Sequence, residues 1–319
     1  LDFSFRLIAH NSYKGAMSCT FGRCYEDTLK FRTLTEISFL SFVAFGEGYI
    51  TPSNRSVALF ALSSYEPEQY TQEIQVPSHA WQEICLKQGI SKANTYLFRT
   101  AWYQMGCVQR YRPYAHGHQQ HLFNVVVGDK KPLQYFINHP GEPAFSGRGR
   151  PSYWAGNGTM PAIHQYRNLA LLIFNSEEKE LVHAIHAYAP IDRMDAYKVS
   201  DHHFYFCCEG GYVSTYFSYP FSLTTQGANT NRELISNGLT HAVVVRCSDC
   251  NEFPSFESFI ADQERQDYQF DKKNLSLVVT DSLWGKIEVS ASTFVVQGKD
   301  ICIDYQRKAT MQRGVFEHA

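Results

Sequence analysis

From residue 94 to the C-terminal region the chain repeats one pattern: a run of five to nine residues rich in Val, Ile, Leu, Phe and Tyr, then Gly, Asn, Asp or Pro. Thr95 to Tyr103, Asn168 to Phe174, Leu181 to Tyr188, His203 to Cys208 and Tyr212 to Phe217 are such runs. His241 to Arg246, Leu275 to Thr280, Lys286 to Ser290 and Thr293 to Gln297 continue the series. Strand after strand with short turns and almost no helix between them predicts a mainly β protein, a large antiparallel β-sandwich with a few short helices. Ahead of it, Leu29, Leu34, Ile37, Leu40 and Val43 recur at helical spacing, which predicts a helix over Glu26 to Phe45 stopped by Gly46. A short helix is expected near His79 to Leu86, and an amphipathic one within Phe253 to Gln266. The expected division is an extended and helical segment over 1–93 packing on a sandwich over 94–319.

The stretch from Tyr111 to Tyr166 concentrates chemistry. Its apolar runs end at Val127 and Ile137, with the polar turn Gly128-Asp-Lys-Lys131 between them, and a hairpin is the expected form. Histidines stand at both ends, with His116, His118 and His121 before the first strand closes and His139 after the second. On an extended strand His116 and His118 share a face and His121 takes the other, while antiparallel return brings His139 back toward them. Imidazoles converging in this way could hold Zn²⁺ or supply a base, and they could equally be polar residues at a strand entrance.

Composition narrows the classes. A formal net charge of −2 over 319 residues gives no electrostatic footprint for nucleic acid and no polybasic membrane anchor. No apolar segment approaches the roughly 20 residues that span a bilayer, so a soluble chain is expected. Nine cysteines without dense spacing point to reduced, mostly buried thiols and a cytoplasmic compartment. Cys247-Ser-Asp-Cys250 lacks a second such pair and is read as a turn, while His202-His203 and His183 with His186 are expected to flank or line strands.

The block His116-Gly-His118, two strands, His139-Pro-Gly141 and then Arg150-Pro-Ser-Tyr-Trp-Ala-Gly-Asn157 resembles the β-sandwich part of the heparinase II/III-like polysaccharide lyases. Asn231 to Ile235 and Ser255 to Phe259 fit a bacterial subgroup, and the resemblance runs from about residue 10 to 290. It implies an acidic polysaccharide or oligosaccharide as partner, cleaved by β-elimination. Family members usually place an α/α toroid ahead of the sandwich; no long run of amphipathic helices occurs here, so a toroid would be another domain or chain.

By resemblance, His116 sits beside the substrate cleft and His118 is a zinc ligand, with His139 or His121 as the next ligand. His164, before Tyr166-Arg-Asn168, stands near the family's third. Elimination needs a carboxylate neutraliser, a base for the C5 proton and an acid for the departing oxygen. His116 is assigned as base or carboxylate partner, Tyr25 or Tyr153 as acid, and Arg148 or Arg150 as charge clamp, with Trp154 and Asn157 beside the sugar. The alternative is a carbohydrate-binding or scaffolding sandwich without catalysis.

Overall fold

A computed structural model describes residues 12–13, 16–17, 79–88, 93–117, 120–141, 153–154, 156, 158–306 and 310–315. In chain order the first strands are β1 (Ser12–Tyr13), β2 (Ala16–Met17), β3 (Trp81–Gln88), β4 (Ala93–Arg99), β5 (Tyr103–Val108), β6 (Phe123–Val127) and β7 (Leu133–Asn138). Next come β8 (Ala162–Tyr166), β9 (Leu169–Asn175), β10 (Ala184–Tyr188), β11 (Ala196–Val199), β12 (His203–Cys208), β13 (Gly211–Phe217), β14 (Phe221–Leu223), β15 (Glu233–Asn237) and β16 (Thr240–Asp249). After the helix α1 (Phe256–Gln263) follow β17 (Asp267–Asp271), β18 (Ser276–Asp281), β19 (Gly285–Val289), β20 (Phe294–Val296), β21 (Lys299–Asp300) and β22 (Thr310–Gly314).

Three antiparallel sheets stack in layers. The first has nine strands in the order β14-β15-β10-β7-β6-β5-β4-β3-β22, the second six as β11-β12-β13-β16-β9-β8, and the third five as β17 to β21 in sequence. Alternation along β9 explains the stacking. Ala170, Leu172 and Phe174 join the core shared with the nine-stranded sheet, while Leu169, Leu171 and Ile173 join the core shared with the five-stranded sheet. On β16, Val243, Val245 and Cys247 face the first core and Ala242 and Val244 the second. A strand covered on both faces needs apolar residues at both parities, which is why these stretches read as unbroken hydrophobic runs.

The β-sandwich expectation holds, with the third sheet as an added layer. The amphipathic helix is α1, capped by Ser255, whose side chain accepts from the Ser258 N–H while Ser258 Oγ accepts from the Ser255 N–H. Thr95 to Tyr103 proves to be two strands, β4 and β5, joined by a turn in which the Thr100 N–H donates to the Tyr103 carbonyl. The helix expected near His79 to Leu86 is instead β3, on the N-terminal side of the boundary expected at residue 93. Its Trp81 and Cys85 enter the main core while Ile84 packs with Leu97 on the other face, so the period is two, hidden because both faces are covered. The helix expected over Glu26 to Phe45 lies outside the described residues.

The hairpin at the centre of the chain is β6 and β7, but its first strand begins only at Phe123. Arg110, Arg112 and Tyr114 adopt positive φ, and such left-handed residues interrupt an extended strand. His116 therefore sits in an isolated bridge to Thr159 rather than on the hairpin, and strand alternation does not relate it to His121. Gly128, at φ 112°, turns the chain between the strands, and Glu209 Oε2 accepts from the Asp129 and Lys131 N–H groups at 2.8 Å each. Among the described residues no helix is long and apolar enough to cross a membrane, and the seven described cysteines are free thiols.

Candidate functional site

The nine-stranded sheet turns its inner face to the main core through Leu133, Tyr135 and Ile137 of β7 and Ile185 and Ala187 of β10. The alternate residues Phe136, Asn138, His186 and Tyr188, with Glu233 of β15, therefore project from the outer face. Register aligns them: His186 opposes Asn138, Tyr188 opposes Phe136 on one side, and Tyr188 opposes Glu233 on the other. Tyr153 and Trp154 pack onto this patch, and Phe136, Tyr153, Trp154 and Tyr188 form one buried cluster.

Within it the polar atoms form a closed network. Glu233 Oε1 accepts from the Tyr153 hydroxyl at 2.7 Å and from His186 Nδ1 at 2.9 Å, and Oε2 accepts from Thr224 Oγ1 at 3.0 Å. The Asn138 amide donates to the Trp154 carbonyl at 2.6 Å, which turns its oxygen to His186 Nε2 at 2.5 Å. Both imidazole nitrogens thus face acceptors, and the arrangement fits a doubly protonated ring. Trp154 stacks on that ring at 4.2 Å and 6°, a contact that favours a cation.

Burial works against this charge and draws the His186 pKa below its ordinary value, with Glu233 pulling upward. For Glu233, burial alone would raise the pKa; the contact with His186 and the hydrogen bonds from Tyr153 and Thr224 outweigh it and leave the carboxyl below the usual range. Burial and the Glu233 contact push the Tyr153 phenol well up, so at neutral pH it holds its proton.

The expected site residues divide three ways. Tyr153 and Trp154 lie in this network. His116 is 55% exposed at its side chain, with Nδ1 3.6 Å from Glu180 Oε1, and it is close enough to His139 to lower that ring's pKa. His121 is fully buried edge-on against Phe136 at 4.4 Å, and burial drives its pKa down to about 3. Tyr25, His118, Arg148, Arg150 and Asn157 lie outside the described residues.

The zinc expectation meets a mixed picture. His139 spends both nitrogens on backbone, with Nε2 donating to the Val182 carbonyl at 3.0 Å and Nδ1 accepting from the Gly141 N–H at 3.2 Å. Burial lowers its pKa to about 4. His164 is on β8, facing the five-stranded sheet, where Nε2 donates to the Ser290 carbonyl at 2.7 Å and the ring packs on Phe294. The second sheet separates it from the outer patch, so it joins no ligand set with His139 or His121. Among the described residues no group of three His, Cys, Asp or Glu is arranged to hold a metal.

The His139 ring also fixes a glycine. A Cβ on Gly158 would fall 1.8 Å from Nδ1, and the ring is tethered at both nitrogens and cannot retreat. Gly158→Ala is expected to destabilise the protein by about 1–3 kcal/mol in urea unfolding, whereas an effect below roughly 0.5 kcal/mol would show that the ring moves freely.

Sequence reasoning passed over Asn138 and Glu233 and took His186 only as a residue that flanks or lines a strand, which it does on β10. A histidine at every-second-residue spacing in Ala184-Ile-His-Ala-Tyr188 is the one signal available, since it puts a polar ring on the face that also carries Tyr188. Comparison with protein-family models, with curated proteins and with solved structures gives no match for this chain.

Proposed function

We propose that this chain is the β-sandwich part of a polysaccharide lyase-like protein that acts on uronic-acid polymers by β-elimination, completed by a helical domain. The observation that carries the reading is the Tyr153–Glu233–His186 network on the outer sheet face. The Tyr153 phenol keeps its proton at neutral pH, as an acid must before handing it to the glycosidic oxygen as the bond to C4 breaks, and to do so its hydroxyl would turn from Glu233 to the substrate. His116, exposed and near Glu180, suits the base that removes the C5 proton. Zinc would draw on His118 with His121, since His139 spends both ring nitrogens on backbone.

The test is an assay of the full-length polypeptide, with any helical domain it carries, for unsaturated uronate absorbance on a panel of uronic-acid polymers. Product formation is expected, and Tyr153→Phe should reduce its rate by about 100-fold. A second reading, a carbohydrate-binding sandwich without catalysis, is favoured by one feature: the hydroxyl of Tyr153 is already engaged by Glu233. Absence of product from every polymer, with binding retained, would select it.

A further inference from the structure

The six-stranded sheet has two edges, and among the described residues only one of them is covered. Along β8 the Gln109 side chain exchanges two hydrogen bonds with the Gln165 backbone, at 2.8 and 3.1 Å, and the Arg110 N–H donates to the Ile163 carbonyl. At the opposite edge all four residues of β11, Ala196 to Val199, are exposed. Tyr197 and Val199 are 48% and 46% exposed, two of the four large apolar side chains that stand open to solvent among the described residues. The Ser200 N–H donates to the His203 carbonyl at 2.8 Å. By the alternation of an antiparallel pair Lys198 therefore also turns its backbone to β12, while Tyr197 and Val199 turn theirs away from the sheet.

Edges are normally blunted, because a row of outward N–H and C=O groups is a template for another strand. The remaining edges follow that rule. β14 and β21 have three and two residues, β17 carries exposed Asp267 and Asp271 at its two ends, and β22 exposes Gln312 and Arg313. β11 has no proline, and its one charge is engaged, since Lys198 Nζ lies 2.6 Å from Oε1 of Glu264 just past α1. Antiparallel pairing with itself fits this strand. A two-fold axis at Lys198 sets Tyr197 of each copy opposite Val199 of the other, and these are the residues whose backbone groups point outward. Aromatic against β-branched is a favourable cross-strand pair. Two lysines meeting at the axis would repel, but each brings its own Glu264, so charges of alternating sign meet there instead. A second copy supplies the matching apolar pair and the matching ion pair by symmetry.

We propose that β11 is a homodimer interface, at which the strands of two copies pair antiparallel about Lys198 and join their six-stranded sheets into one continuous sheet. The ladder is short, so the interface falls below about 1,200 Å² and the dimer is weak, with Kd of about 10–100 µM. β11 belongs to the second sheet, so the dimer stands or falls independently of the Tyr153–Glu233–His186 network on the nine-stranded sheet.

The experiment is sedimentation equilibrium of the full chain from about 1 µM to about 1 mM, under reducing conditions that keep its free thiols from cross-linking. A monomer–dimer equilibrium is expected. Val199→Pro removes an outward N–H without touching the bonds to β12, and an edge strand tolerates proline, so this variant should fold and dimerise at least about tenfold more weakly. Tyr197→Lys with Val199→Lys sets like charges opposite each other in both cross-strand pairs and should abolish association, which decides the matter if the proline variant does not fold. Glu264→Lys, at an exposed position away from the ladder, leaves four cations at the axis and should weaken the dimer by about tenfold or more. Unchanged association in that variant would overturn the axis at Lys198. A chain that stays monomeric up to about 1 mM would overturn the interface and leave the strand to a foreign extended peptide. A dimer that the proline and double-lysine variants leave intact would overturn it equally, because the two copies would then meet elsewhere.

Discussion

Acidification from neutral pH is expected to unfold this protein in one steep transition centred near pH 5, well above the range in which ordinary carboxylates titrate. The cause is a set of buried neutral imidazoles. Burial lowers His121 to about 3 and His139, His164, His203 and His241 to about 4, all from 6.5. Desolvation is the main cause in each, helped at His139 by the Gly141 N–H that its Nδ1 accepts, at His164 by the Arg110 charge and at His241 by the Lys272 charge; the carbonyls bonded to His164 and His241 pull only weakly the other way. For a group whose folded pKa is depressed, the unfolded chain binds the proton first. The stabilisation is therefore complete above about pH 6.5 and is lost as pH falls toward the folded values.

Between those limits five protons favour the unfolded chain, a slope approaching about 7 kcal/mol per pH unit, against a total stability of about 5–15 kcal/mol. Glu83, Asp249 and Glu252 work the other way, since burial raises each of them and their protonation favours the folded chain, so the observed slope will be shallower. Thermal melts at half-unit steps from pH 7.5 to 4.5 measure it. His164→Gln, which keeps a donor for the Ser290 carbonyl, should flatten the slope by about a fifth. A melting temperature constant between pH 7 and 5 would refute the account.

The strand inventory was readable because most strands here are short, aromatic or β-branched, and bounded by turn residues; β12 begins and ends at the residues where its apolar run does. What defeated pattern reading was double coverage. In β3, Trp81 and Cys85 face one core while Ile84 faces a second apolar cluster, and Gln82 and Glu83 fall between, so no face looks polar and a helical period can be fitted to it. The third layer was invisible for a related reason, as β9 and β16 advertise burial without saying what covers them. At the site, residue type pointed to Tyr153 and Trp154, whose neighbourhood reads as a loop rich in Gly, Arg and aromatics. It could not find Glu233, which comes from a strand some eighty residues later and reaches Tyr153 only because β15 pairs with β10. Histidine count misled in the same way: His139 and His164 look alike in sequence and lie on opposite sides of the second sheet.

Removing one buried cation should cost more than any of the local changes above: Arg246→Ala is expected to lower stability by about 3–5 kcal/mol. Arg246 projects from β16 toward the third layer, at the same parity as Ala242 and Val244, and is 1% exposed. Its Nη2 donates to Glu252, its Nη1 to the Cys247 carbonyl at 2.7 Å, and its Nε lies 3.4 Å from Asp281 Oδ2 at the end of β18. The partners are themselves anchored. Glu252 accepts from Ser248 at 2.7 Å and from Asn168 at 3.3 Å, Asn168 accepts from the Trp284 indole at 2.8 Å, and Asp281 accepts from the Leu283 and Trp284 N–H groups. One guanidinium thus holds together the second sheet, the turn after β16 and the third sheet.

Deleting it strands two buried carboxylates, and their desolvation, rather than the lost attraction, dominates the cost. That distinction is testable, because Arg246→Met/Glu252→Gln/Asp281→Asn removes the charges together and should recover most of the loss in urea denaturation. A single variant within about 1 kcal/mol of wild type, or a triple variant no better than the single, would mean that packing alone joins the third sheet to the rest.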